Sequence, residues 1–140
     1  MINSVNAAVQ TVAAGQNVTF STDRVRTRSC ESCCGGWLSH DLGSGLFTIT
    51  KPGIYEVGFN ANVANSTATG AIILDITNAG ETISGSEMVV TPTVANAYFN
   101  VSSNILVKVP CNSSITVSVK NNSTATVLVS QANLFITREC

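Results

Sequence analysis

"GSGLFTITKPGIYEVGFNANV", residues 43–63, holds the pattern that decides the fold of this chain. "GLFTIT" (45–50) is a short apolar, β-branched run, "KPG" (51–53) is a turn, and "GIYEVGFNANVA" (53–64) alternates with a period of two. Tyr55, Val57, Phe59, Ala61 and Val63 fall on one side of that second run, and Ile54, Glu56, Gly58, Asn60 and Asn62 on the other. That is the pattern of a half-buried strand. Pro52-Gly53 makes a tight hairpin turn, which leaves Phe47, Tyr55 and Phe59 to pack between two sheets.

The same grammar continues on both sides. "NVTFST" (17–22), "GAIILDITN" (70–78), "TISGSEMVV" (82–90), "AYFNVSSNILVKV" (97–109), "SITVSVKN" (114–121) and "ATVLVSQANLFITR" (125–138) read as strands. Turn residues separate them at "NAGE" (78–81), "TPT" (91–93), "PCNSS" (110–114) and "NNS" (121–123). Helical spacing is confined to Ile2, Val5, Val9 and Val12, a seam of two turns at most, so extended structure competes there. Eight strands joined by short polar connections predict an all-β, two-sheet sandwich or barrel. No internal repeat or linker divides the chain, so residues 1–140 are expected to be one domain, with 1–14 free to be an N-terminal extension or the end of a stalk. In the last strand Val127, Val129, Gln131, Asn133 and Phe135 alternate with Leu128, Ser130, Ala132, Leu134 and Ile136, and neither set is polar. This predicts a strand whose outer face meets another subunit.

Composition agrees. Charged residues make up 11% of the 140 residues, against about 25% in ordinary soluble domains, and a surface so poor in charge implies burial in an oligomer. A net charge of −1 gives no bulk attraction to nucleic acid. The N-terminus lacks the basic segment and apolar run of a secretory signal, and no window reaches the length of a membrane span. Asn-x-Ser/Thr triplets at Asn17, Asn65, Asn100, Asn112, Asn121 and Asn122 are what chance produces in a chain rich in these residues.

The pattern at 43–63 also resembles the signature of the tumour-necrosis-factor and complement-collectin jelly rolls, through Gly45, Phe47, Ile49, Pro52, Gly53, Tyr55 and Phe59. Downstream, the loop at "STATG", the long apolar strand after it and the final Val129, Ala132, Leu134 and Ile136 are similar in layout to the heads of Bacillus collagen-like exosporium glycoproteins and of bacteriophage fibres. The resemblance implies an eight-stranded jelly roll forming a homotrimer about a threefold axis. It implies no catalysis and no cofactor. The implied role is a head of a surface or virion fibre, on a virion or on a cell or spore surface, that registers three chains and attaches to a receptor or glycan. A purely structural trimer cap, or a Cys/His metal-stabilised module, are the alternatives. Tyr55, Phe59, Tyr98, Phe99, Leu134 and Ile136 are the residues expected at the sheet core and the trimer contact.

"RTRSCESCCGGWLSH" (26–40) is the one segment rich in reactive groups. Cys30, Cys33, Cys34 and His40 could be four zinc ligands, but structural zinc sites usually split their ligands over two knuckles. "CESC" could be a redox centre, although no helix N-terminus is in prospect to lower a thiol pKa. The third reading has disulfides, within or between chains, stapling a long loop with Trp37 folding back over it, and free thiols are the remaining alternative. Counting strands puts Cys111 and Cys140 at one end of the sandwich and residues 22–44 at the other, so Cys111 and Cys140 are expected to pair apart from the 30–34 cluster. His40 beside Asp41 reads as a polar loop pair and not as part of a triad. Asp75 and Glu56 are lone strand carboxylates, and Gly35-Gly36 lacks the Lys and helix of a phosphate loop. Arg24, Arg26 and Arg28 alternate onto one face, as a grip for an acidic glycan or as a solvated edge that discourages strand pairing.

Overall fold

The computed structural model describes residues 1–27, 36–67 and 70–139. Among these residues twelve strands form two antiparallel sheets. They are β1 (Ile2–Asn6), β2 (Gln10–Val12), β3 (Thr22–Arg26), β4 (Leu38–His40), β5 (Phe47–Ile49), β6 (Gly53–Asn65), β7 (Ile72–Asn78), β8 (Glu81–Thr82), β9 (Met88–Val90), β10 (Phe99–Val109), β11 (Ile115–Asn121) and β12 (Val127–Arg138). The first sheet runs β10-β6-β12-β1-β3, with β2 also on β12. The second runs β4-β5-β11-β7-β8, with β9 also on β7. Among the described residues no helix is long and apolar enough to cross a membrane.

The predicted sandwich is there, and its core lies where the alternation in β6 places it. Tyr55, Val57, Phe59, Ala61 and Val63 are all buried, and they meet Phe47, Ile49, Leu74, Ile76, Val117 and Val119 from the facing sheet in one apolar cluster. Removing each such large side chain from water contributes roughly 1.5–3 kcal/mol. Phe20 sits at the centre, edge-on to Phe47 at 5.5 Å and to Phe59 at 6.4 Å. The "KPG" turn is tied by the Tyr55 hydroxyl, which donates to the Lys51 carbonyl at 2.7 Å. Gly45 has no room for a side chain, since a Cβ there would lie 2.3 Å from the Val18 carbonyl oxygen. The connection before β5 therefore packs directly on the backbone at Val18.

Three features differ from the sequence reading. Residues 2–12 supply β1 and β2, both paired with β12, so this segment is extended structure and not a helical seam. "TISGSEMVV" is two short strands, β8 and β9, separated by Gly85 with φ +88° and by Ser86, whose hydroxyl bonds both the amide and the carbonyl of Ile76. The third concerns β12. Ser130 pairs with Asn62 and Asn133 with Asn60, so two residues of β12 oppose one of β6, and Gln131 takes φ +54°. This β-bulge shifts the phase of the strand. Val127 and Val129 before it, and Ala132, Leu134 and Ile136 after it, all point into the core. The lack of a polar set in the plain alternation comes from this slip and not from a strand apolar on both faces.

Candidate functional site

The first sheet leaves an outer face whose residues follow from the register. Asn3 is opposite Phe135, Val5 opposite Asn133, and Asn133 and Phe135 are opposite Asn60 and Gly58. Across β6, Asn104, Ser102 and Asn100 of β10 are opposite Gly58, Asn60 and Asn62. Side-chain amides bridge the strands, from Asn3 Nδ2 to Asn133 Oδ1 at 2.6 Å and from Asn100 Nδ2 to Asn62 Oδ1 at 3.2 Å. The Phe135 ring lies across Gly58, where a Cβ would come 2.1 Å from it. A groove of about 690 Å³ opens on this face, bounded by Val5, Arg24, Asn60, Gln131, Asn133 and Phe135. The face expected to be apolar is an amide lattice around a small apolar island.

The two lateral edges of the sandwich differ. At the β3–β4 edge the sheets are joined by polar bonds. His40 Nδ1 lies 2.8 Å from Asp23 Oδ1, His40 Nε2 lies 3.0 Å from the Ser44 carbonyl, and Arg26 donates to the Leu38 carbonyl at 3.2 Å. The imidazole stacks on Phe47 with centroids 4.1 Å apart. At the β9–β10 edge no such bridge occurs among the described residues, and Val89, Val94, Tyr98 and Phe99 stand 43–62% exposed.

The residues singled out from the sequence are distributed as follows. Tyr55, Phe59, Leu134 and Ile136 are buried between the sheets and cannot touch another chain, whereas Tyr98 and Phe99 lie on the open edge. Phe99 is exposed although its pairing with Val63 turns it inward, because β10 is the last strand of its sheet. Arg24 and Arg26 do not share a face. The β1–β3 register shifts between Asn3 and Ser4, which sends Arg24 to the outer groove and Arg26 to Asp23, 3.5 Å away. Arg28 lies outside the described residues.

His40 pairs with Asp23, not with its exposed neighbour Asp41, and its ring is buried. Both of its nitrogens face protein acceptors. The Ser4 hydroxyl also bonds Asp23 Oδ1, at 2.5 Å. Ser4, Asp23 and His40 are thus linked through the carboxylate, with no hydroxyl against the imidazole, and the arrangement is not a nucleophile–base pair. Asp23 was invisible as a partner because seventeen residues separate it from His40.

Cys30, Cys33, Cys34 and Cys140 lie outside the described residues, and Cys111 is exposed. The topological ground for keeping Cys140 apart from the cluster does not hold. Gly53 pairs with Val109 and Tyr55 with Arg138, while Arg26 pairs with Ile2 and Ile2 with Ile136. Thr27 and Trp37 are therefore at the same end of the sandwich as Val109 and Arg138. The strand count missed β1, β2, β3 and β4 and took 17–22, of which only Thr22 lies in a strand, as the first strand, so the inferred ends changed.

No protein-family model matches the chain, and no curated protein matches its sequence. Solved structures do. The globular domain of zebrafish complement 1qA protein aligns with a TM-score of 0.60 at 15% identity, covering 99% of this chain and 98% of that one. Eiger TNF from S. frugiperda aligns with a TM-score of 0.62 at 11% identity, over 99% and 92%. Murine APRIL aligns with a TM-score of 0.53 at 15% identity, over 95% of each chain. The fold is the tumour-necrosis-factor-like jelly roll that the residues at 43–63 resemble.

Proposed function

We propose that this chain is the non-enzymatic head of a surface or virion fibre, a homotrimer that registers three chains and presents its loops for attachment to a receptor or glycan. The observation that carries the reading is the pair of dissimilar, unpartnered surfaces on one protomer. The β9–β10 edge offers Val89, Val94, Tyr98 and Phe99 to solvent, and the outer face of the first sheet offers a recess around Val5 and Phe135. An edge of one copy set against the face of the next is a heterologous contact, which closes when the rotation is a simple fraction of a turn. Threefold closure is what the family resemblance implies. The 11% charge content supports the same reading, since a closed ring hides surface that a monomer would need charge to keep soluble.

Amides dominate the recessed face, so the contact would be polar and specific more than greasy, with an apolar centre at Phe135. Light scattering tests this. The expected mass is three times the 14.6 kDa of one chain, unchanged by reductant, and a stable monomer at micromolar concentration sinks the reading.

A further inference from the structure

The end of the sandwich that carries the "KPG" turn holds a second, smaller recess of about 200 Å³, lined by Trp37, Lys51, Thr137 and Arg138 among others. We propose that it is a binding site for a single acidic sugar, a pyranose ring bearing a carboxylate. The site gives the attachment reading above a ligand class and takes its role from that reading.

Three properties point to that ligand. The first is an aromatic platform. Trp37 is half-buried and stacks on the fully buried Tyr55 ring, with centroids 5.1 Å apart and planes 29° apart. The indole is therefore held in place by the core, and a rigid aromatic wall suits the C–H face of a sugar ring. The second is positive charge. Lys51 and Arg138 both line the recess, and among the described residues neither is in a salt bridge. Arg138 donates from Nη2 to the Pro52 carbonyl at 3.0 Å, and a guanidinium fork has further donors for a carboxylate. The Lys51 main chain is pinned by the Tyr55 hydroxyl at 2.7 Å. The third is size. Drug-sized sites run to roughly 300–1,000 Å³, so this one suits a single ring. A bare phosphate would use the cations and leave Trp37 without a role.

The acidic side chains nearest in sequence to Arg138 and Lys51 are Glu139 and Glu56. Glu139 is exposed, with its amide bonded to the Ile54 carbonyl at 2.8 Å. Glu56 is opposite Thr137 and accepts from Asn104 at 3.4 Å.

Trp37 is the only tryptophan of the chain, so intrinsic tryptophan emission reports on this recess alone. The full chain is titrated with methyl glucuronide, with methyl glucoside as the neutral isostere and acetate as the bare anion. A saturable change with the glucuronide is expected, weakened about tenfold for the glucoside through loss of the charged hydrogen bonds. Arg138→Gln should weaken glucuronide binding by a similar factor. Lys51→Gln serves as the second variant, because the Lys51 side chain makes no bond among the described residues and its loss leaves the fold intact. Equal affinity for glucoside and glucuronide, an equal response to acetate, or no saturable response to the glucuronide would each overturn the proposal. A trimer that ignores the glucuronide defeats this site alone, and a monomer that binds it defeats the trimer alone.

Discussion

Tyr55 shows how one side chain links turn, core and surface. Its ring is buried under Trp37, its hydroxyl closes the turn onto Lys51, and its neighbour in space is Arg138. Burial pushes the phenol above its ordinary range near 10, and the Arg138 guanidinium only partly opposes that. A folded-state pKa raised above the unfolded one means that the unfolded chain loses this proton first as pH rises. The stability Tyr55 contributes is therefore full below about pH 10 and falls as pH climbs through the folded value. Urea melts at pH 9 and pH 11 should show a steeper loss for the natural chain than for Tyr55→Phe, and parallel losses would remove Tyr55 as the cause. Gln131 is the opposite kind of residue. It contributes little packing, yet its left-handed backbone decides which half of β12 faces where.

At the scale of elements, the β3–β4 edge is a polar clasp between sheets. Asp23 holds His40 from β4, Ser4 from β1 and Arg26 from its own strand. The imidazole is fully buried, and removing Asp23 leaves its Nδ1 without a partner, at a cost of about 1–3 kcal/mol. Asp23→Ala should lose stability on that scale. In a double-mutant cycle with His40→Ala, the two should couple by about 1–3 kcal/mol. Additive effects in chemical denaturation would mean that the clasp is a contact without energetic weight. None of this was legible locally, because β3 and β4 are short, and each is an edge strand held largely by partners far off in the chain.

For the whole molecule, the contrast between a clasped edge and an open one is the feature with consequences for assembly. Val94 and Tyr98 are exposed at 62% and 43% on the open edge and belong to no core contact. Val94→Asp combined with Tyr98→Asp should leave protomer stability within about 0.5 kcal/mol of the natural chain. The same double variant should shift the light-scattering mass from trimer to monomer at micromolar concentration. A trimer that survives both charges would place the contact elsewhere on the surface.

Read alone, the sequence determined the elements from Phe47 onward apart from the division of 82–90 into β8 and β9, the inward set Tyr55, Val57, Phe59, Ala61 and Val63, and the sandwich they demand. These are local matters, since a period of two and a Pro-Gly turn are written in adjacent residues. Trp37, Lys51 and Arg138 were each visible as residues but not as a group, because their meeting depends on three separate strands ending at one end of the sheets. Only the tertiary structure decided the phase of β12 beyond Gln131, the partner of His40, the divergence of Arg24 from Arg26, and which chain ends share a side. Each of those depends on register between strands that lie tens of residues apart, and a bulge of one residue reverses the answer.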